Sequence, residues 1–500
     1  MATAETEPLL NELSSPGRPG FRLPAPGVPS AVRPEACLPA AALRRRPPAL
    51  PELSELQVVR HFTRLSRLNF SIDTNPYPLG SCTMKYNPKV DDEIAALPGF
   101  AGLHPATPDA LAQGALRLLG GLEAALCAIT GMAAFSLQPA AGAHGELAGM
   151  LVCARYHAAR GDHDRRLVVV PDSAHGTNPA SAAMAGFEVL EIGGDARGGV
   201  NLDELRRVAD GRLAALMLTN PNTLGLFEEN IAEIADIVHG AGGLLYYDGA
   251  NLNAIAGRAR PADMGFDICH LNLHKTFATP HGMGGPGAGP VGVSAALEPL
   301  LPGPRLRRRD DPGEAGPRWA WEESGAQSIG RVRALYGNFG VLVRAYAYIL
   351  SNGGAGLRAV AAHAVLNANY LLERLRPVLP PRYDRPCMHE FVADGRALAG
   401  AGLRALDLCK GLLDRGVHAP TMYFPLIVPE ALMFEPTETE TPAVLDALAA
   451  AVRDVVAEGA TARQAPLRTP VGRVDETLAA RRPVLGWHQI PEETAERPGG

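Results

Sequence analysis

The chain has 500 residues, a formal net charge of −6, 46% apolar residues and 20% charged ones. That length suits two domains with extensions, and the apolar share can fill a large core. The acidic balance leaves no footprint for nucleic acid.

No apolar run approaches the roughly 20 residues that span a bilayer, and residues 1–5 lack the basic and apolar regions of a signal peptide. The seven cysteines, at 37, 82, 127, 153, 269, 387 and 409, are odd in number, scattered, and never in a Cys-x-x-Cys pair. They predict a reducing, cytoplasmic location, no membrane partner and no metal site. Cys82 and Cys269 fall inside motifs described below, where small buried hydrophobes are the expectation.

In chain order, residues 13–52 are rich in Pro, Arg and Ala and read as an extended arm. Helical spacing predicts a helix over 52–68. Residues 75–89 follow, with prolines and a glycine that exclude a regular element. Their hydroxyls and two lysines predict a binding loop over a site, although an ordinary long crossover has the same composition. Helical patterning covers 109–130. The small residues of 137–146 lead into a helix predicted over 147–159, where backbone amides at the helix start can approach a phosphate. A plain turn fits equally well, and no Walker or Gly-x-Gly-x-x-Gly spacing indicates a nucleotide.

Short apolar runs then predict strands over 167–170, 186–192, 213–218, 243–247, 267–273 and 289–294, with a helix over 229–239. A glycine-dense loop, 281–287, precedes the last of them. The alternation predicts a doubly wound, mainly parallel α/β sheet. His175 follows a strand end, a position from which an imidazole can stack on a flat cofactor, and also an ordinary structural one. Residues 305–323 read as a charged, Pro-rich excursion, followed by two long helices over 332–350 and 357–375. Beyond Pro380 the pattern turns α+β, with short strands near 390–392 and 432–438 and helices over 406–415 and 441–457. The expected division is an arm and binding loop (1–100), a large domain (101–330), linking helices with a small C-terminal domain (331–460) and an extension (461–500).

Asp248 and Lys275 each sit just past an apolar run, the edge at which open α/β sheets bind ligands. An acid and an amine one βαβ unit apart suit pyridoxal phosphate (PLP). That cofactor needs an amine to condense with its carbonyl and a carboxylate to keep its ring nitrogen protonated. A surface lysine and a turn-capping Asp would give the same pattern. The composition favours the cofactor: the only lysines are Lys85, Lys89, Lys275 and Lys410 in an arginine-rich chain. Arg cannot supply a deprotonable amine.

Several longer strings carry a resemblance. They are Pro78-Leu-Gly-Ser-Cys-Thr-Met-Lys85, His175-Gly-Thr-Asn-Pro-Ala-Ser181, Phe227-Glu-Glu-Asn230, Asp248-Gly-Ala-Asn251, Asn272-Leu-His-Lys-Thr-Phe277, His418-Ala-Pro-Thr421 and Glu435-Pro-Thr-Glu438. With them the chain resembles the PLP-bearing subunit 2 of the glycine cleavage P protein family, over roughly residues 50–480.

The resemblance implies a PLP-dependent transferase type I fold with a seven-stranded, mainly parallel sheet and a smaller C-terminal α+β domain. It implies Lys275 as the cofactor lysine, Asp248 as the ring-nitrogen partner, and His175 stacked on the ring. Ala141, Gly142, Ala143 and His274 would lie near the phosphate. Thr223 and Asn251, just past neighbouring strand ends, complete the candidate cofactor contacts. The implied reaction is decarboxylation of glycine with transfer of the aminomethyl group to the lipoyl arm of H protein. The implied assembly is a heterotetramer with subunit 1, in a system that also holds T and L proteins. Ser81, Thr83, Lys85, His418 and Thr421 are the candidate lining of a channel for the arm. Another type I PLP enzyme, such as an amino-acid decarboxylase or a desulfurase, and a non-catalytic interaction subunit stay open as alternatives.

Overall fold

In the computed structural model, the runs predicted as strands over 167–170, 213–218 and 243–247 are buried on both faces, as continuous apolar strands require, while the run over 186–192 is a largely exposed edge strand. The residues described are 6–18, 20, 21, 24, 27, 33–46, 48–281, 287–309 and 318–486. Residues 282–286 of the glycine-dense segment, 310–317 of the charged excursion and parts of both arms lie outside them. The chain divides into two compact units, one made of residues 1–71 with 465–500 and the other of residues 72–464.

The larger unit is built on seven strands: β1 (Ala134–Ser136), β2 (Leu167–Pro171), β3 (Glu188–Ile192), β4 (Leu213–Thr219), β5 (Leu244–Gly249), β6 (Ile268–Leu271) and β7 (Val291–Val293). Their order is β1-β7-β6-β5-β4-β2-β3. Only β7 runs antiparallel to its neighbours. In β4 every residue from Leu213 to Thr219 is buried, because helices cover both faces. The register sets Asp248 of β5 opposite Thr219 of β4 and His270 of β6, so one sheet edge gathers three polar residues.

Three features depart from the sequence expectation. The helix expected from 147 is Gly142–Ala159 and begins five residues sooner, since small residues form a helix without an apolar stripe to reveal it. The two ends of the excursion pair as antiparallel strands, β8 (Arg305–Arg308) with β9 (Trp319–Glu322), and the buried Arg305 is held by Glu123 at 2.9 Å. Of the two long helices expected over 332–350 and 357–375, the first starts only at Phe339, and a non-helical break at Gly353 (φ 59°, ψ −177°) separates it from the second, which ends at Leu375. The first packs in the core under the sheet. The last turns of the second, from Ala368, pack in a second core with β10 (Phe391–Asp394), β12 (Ala431–Phe434) and the helices Ala405–Leu413 and Pro442–Glu458. The short strand β11 (Thr421–Met422) completes that three-stranded sheet.

The smaller unit carries the helix Glu55–Arg67. Ser54 caps it, accepting from Gln57 N while Gln57 Oε1 accepts from Ser54 N at 3.0 Å. Glu7 anchors the preceding segment, binding His61 at 3.0 Å and Arg64 at 2.6 Å. Among the described residues no helix is long and apolar enough to cross a membrane.

Candidate active site

A cavity of about 220 Å³ opens at the C-terminal edge of β4, β5 and β6. Of the residues singled out from sequence, Ser81, Gly142, Ala143, His175, Thr223, Asp248, Asn251, His274 and Lys275 line it. Ala141 stands just outside as the cap of the helix Gly142–Ala159.

Asp248 forms the floor and is 2% exposed. Asn178 Nδ2 donates to its Oδ2 at 3.0 Å, and Ala250 N donates to Oδ1 at 3.0 Å. His270 Nε2 stands 3.3 Å from Oδ1, and its other ring nitrogen is paired with the Tyr246 hydroxyl at 2.8 Å. Burial alone pushes the Asp248 carboxyl up. His270, the two hydrogen bonds and Lys275 outweigh it and hold the pKa below the ordinary value. The floor therefore presents an ionised carboxylate.

The opposite end of the cavity is a helix N-terminus. Ala141 has extended backbone and offers no side-chain cap, so amides of the first helical turn are free for an anion. Gly142 is required there: a Cβ would lie 2.6 Å from Asn272 Nδ2. Asn272 Oδ1 is buried without a hydrogen-bond partner. Gly287 is required likewise, because a Cβ would meet His274 Nδ1 at 2.5 Å. Burial, then His281 and Lys275, pushes His274 down to about 3, so it is neutral.

The exposed His175 ring is oriented by Thr177, whose Oγ1 lies 2.9 Å from Nδ1, and it packs edge-on against Phe424 with centroids 5.5 Å apart. Thr177, Asn178 and Ser181 in turn converge on the buried Glu146. Thr223 Oγ1 donates to the Ser173 carbonyl. Asn251 Nδ2 donates to the Pro221 carbonyl at 2.9 Å and to Glu390 Oε1 at 3.2 Å.

The proposed channel residues separate into two groups. Ser81 faces the cavity, and its backbone N–H donates to Glu390 Oε2 at 2.7 Å. Thr83 and Lys85 do not line it. Thr83 is 1% exposed and gives both its N–H and its hydroxyl to Glu435, at 2.9 and 2.6 Å. Lys85, 3% exposed, donates to Glu438 at 2.8 Å, the Thr276 carbonyl at 2.7 Å and Asn253 at 2.9 Å. His418 stacks on Tyr77 with centroids 3.6 Å apart, and Thr421 Oγ1 donates to the Gly80 carbonyl at 2.8 Å. The segments 75–89 and 417–421 thus pack on one another. Cys269 is fully buried as expected, but Cys82 is only partly buried.

Sequence reasoning gave no role to Glu146, Asn178, His270, His389, Glu390 or Glu435. Asn178 and Glu435 lay inside quoted motifs. His389 and Glu390 had no signal beyond a polar pair ahead of a short strand.

An ionised carboxylate at one end, an anion-binding helix start at the other, an exposed imidazole and a lysine between them fit PLP by donor type. A fold of this architecture with this donor set defines the class of type I PLP-dependent enzymes. A family model described as glycine dehydrogenase, C-terminal domain, matches residues 360–470. A probable glycine dehydrogenase (decarboxylating) subunit 2 of Desulforamulus reducens is 56% identical over 487 residues, 96% of this chain and 99% of that protein. Its counterpart in Thermotoga maritima is 54% identical over 481 residues, 95% of this chain and 99% of that protein. The chain belongs to the glycine dehydrogenase (decarboxylating) subunit 2 family.

Among solved structures, an inhibitor-bound glycine decarboxylase (P-protein) of the glycine cleavage system superposes with a TM-score of 0.72 at 24% identity, covering 84% of this chain and 94% of that one. A cysteine desulfurase from Thermococcus onnurineus gives 0.59 at 15% identity, covering 77% and 96%. At these identities the likeness speaks for the fold.

Proposed function

We propose that this chain is the PLP-loaded half of a glycine cleavage P protein. It decarboxylates glycine and passes the aminomethyl group to the lipoyl arm of H protein. The observation that carries the reading is the convergence of Lys275, Asp248 and the uncapped helix start at Gly142 on one cavity.

When bound, PLP supplies an electron sink for the pair left as carbon dioxide departs. Lys275 is the amine that would hold it. Asp248 would face its ring nitrogen, and His270 and Asn178 keep this carboxylate ionised for that task. Gly142 and Ala143 would offer backbone amides to its phosphate, with His274 beside them as a neutral imidazole. His175 would cover its ring. Thr223 and Asn251, both tied to main-chain carbonyls, fix the remaining wall. Ser81, His418 and Thr421 border the approach for the arm, while Thr83 and Lys85 hold the loop from behind.

The family's name for subunit 2 supports a subunit 1 partner. We take the assembly as two copies of each, in the cytoplasm, working with H, T and L proteins. The test is glycine–bicarbonate exchange by the chain alone, with H protein, and with H protein plus subunit 1. Exchange should be poor until subunit 1 is added. Full activity from the chain with H protein alone would refute the half-enzyme assignment.

A further inference from the structure

The His175 ring and the Asp248 floor both trace back to one buried acid to which the mechanism assigns nothing. Glu146 is 4% exposed and stands one turn into the helix Gly142–Ala159. Three groups meet its oxygens, and all are donors. The Thr177 hydroxyl gives to Oε1 at 2.9 Å, while the Asn178 amide at 3.1 Å and the Ser181 hydroxyl at 3.4 Å give to Oε2. The same Asn178 amide donates to Asp248 Oδ2 at 3.0 Å. His270 Nε2 is 4.0 Å from Glu146 Oε1, beyond hydrogen-bond reach, and lies nearer Asp248. One oxygen of Glu146 is thus left to Thr177 alone.

The Thr177 hydroxyl carries one proton and has two acceptors at the same distance. Glu146 Oε1 and His175 Nδ1 each lie 2.9 Å from its Oγ1. A carboxylate oxygen is the stronger acceptor of the two, so the proton goes to Glu146. Oγ1 then turns only lone pairs to Nδ1, and the contact is favourable when Nδ1 carries a proton. The group pulling the other way is the Thr177 backbone N–H, 3.3 Å from Nδ1. That contact is the longer one, and its donor opens the helix Thr177–Met184, where water can satisfy it. Nε2, the other ring nitrogen, has no hydrogen-bond partner among the described residues; the ring's remaining neighbour is the Phe424 edge.

We propose that Glu146 is a positioning residue for His175: through the Thr177 hydroxyl it holds the ring as the Nδ1–H tautomer and leaves a lone pair on Nε2. An acceptor at Nε2 suits a group that only donates, such as the ammonium of an amino acid, and disfavours the carboxylate at its other end. The opposite tautomer presents an N–H there and reverses that preference. Glu146 therefore decides which end of an amino acid the imidazole takes. The substrate contact rests on the function proposed above, while the tautomer does not.

The test is nitrogen NMR of the unliganded full chain labelled with ¹⁵N-histidine, above the ordinary imidazole pKa of about 6.5. His175 is assigned by the signals lost in His175→Gln, and its Nδ1, not its Nε2, should carry the proton. In Glu146→Gln the Asn178 amide holds the new carbonyl at the Oε2 position, so the new NH2 faces Thr177. The Thr177 hydroxyl proton is then free for Nδ1, and the ring proton should move to Nε2. Thr177→Val should give the same reversal, because the Thr177 N–H then has Nδ1 to itself; it keeps the test open should Glu146→Gln not fold. A proton already on Nε2 in the unsubstituted chain would overturn the proposal, as would one that stays on Nδ1 in the variants. In the enzyme assembled with subunit 1 and H protein, Thr177→Val should raise the glycine KM on the order of 10-fold with less change in kcat. Thr177→Ser, which keeps the hydroxyl, should restore both tautomer and KM. A reversed tautomer with an unmoved KM would overturn the substrate contact. Failure of borohydride to trap PLP on Lys275 sinks the proposed function and leaves the NMR result standing.

Discussion

The cavity has two acid-bearing walls, and they treat buried carboxylates in opposite ways. Asp248, on the sheet edge, is held ionised by His270, Asn178 and a backbone amide. Glu390 and Glu435, on the small-domain side, also accept two hydrogen bonds each, yet both are raised. Burial is the largest influence on all three. What differs is the company: Asp248 has the His270 imidazole 3.3 Å away, shared with Glu146 at 4.0 Å, and donors from Asn178 and Ala250, whereas the two glutamates have each other and an imidazole, His389, no nearer than 3.7 Å. Burial alone does not set the charge of a site; the neighbour's sign does.

The sharpest way to break the comparison is to remove the amine that both walls face. Lys275→Ala should abolish the visible absorbance of bound cofactor and the borohydride-trapped adduct, and Lys275→Arg should fail equally, because a guanidinium does not condense with a carbonyl. An adduct found on Lys85 or Lys410 instead would sink the assignment. Next comes the floor: Asp248→Asn should leave circular dichroism unchanged and lower turnover on the order of 10²-fold or more. Near-normal turnover would mean that another group holds the ring nitrogen.

On the opposite wall, Lys85→Met strips the buried Glu438 of its cation and should cost about 3–5 kcal/mol in denaturant unfolding. The smallest effect is in the pH dependence of stability. Glu390 and Glu435 are raised from 4.5, so the folded state holds more protons than the unfolded one. Their stabilisation is full below about 4.5 and is lost as pH rises through about 7 to 8. Asp248 is lowered, so its share is present above its ordinary 3.8 and is lost as pH falls below that. Glu390→Gln should flatten the decline between about pH 4.5 and 8 by up to about 1.4 kcal/mol per pH unit and leave the limb below 3.8 alone. An unchanged decline over that range would show that the two walls do not differ in charge.

The sheet was legible because its strands announce themselves: Leu213–Thr219 is apolar throughout and ends on the polar residues of the site. Asp248 and Lys275 were legible for the same reason, as polar residues just past such runs. The three-residue β1 was too short to register. The β8–β9 pair was hidden because its strands are separated by ten residues and carry charges on the exposed side. The early start of the helix at Gly142 was invisible to apolar periodicity. Most opaque was the second wall. Ser81 and Thr83 were read as facing a channel, but backbone strain turns Thr83 inward onto Glu435, a residue 352 positions away. Pairings over that distance follow from the small domain's position, which no local pattern encodes.

The kinked helix beneath the sheet has a mechanical consequence. From Gly354 to Leu375 it runs unbroken, a rod of roughly 30 Å at 1.5 Å per residue. Leu357 and Val360 root one end in the first core, and Leu371, Leu372 and Leu375 root the other in the second. A stiff beam clamped at both ends transmits torque instead of absorbing it, and the break at Gly353 lies outside the span between the clamps. The lobe bearing Glu390 and Glu435 therefore turns with the sheet as one piece. Access for a long tethered arm falls to the seam where segments 75–89 and 417–421 pack on one another.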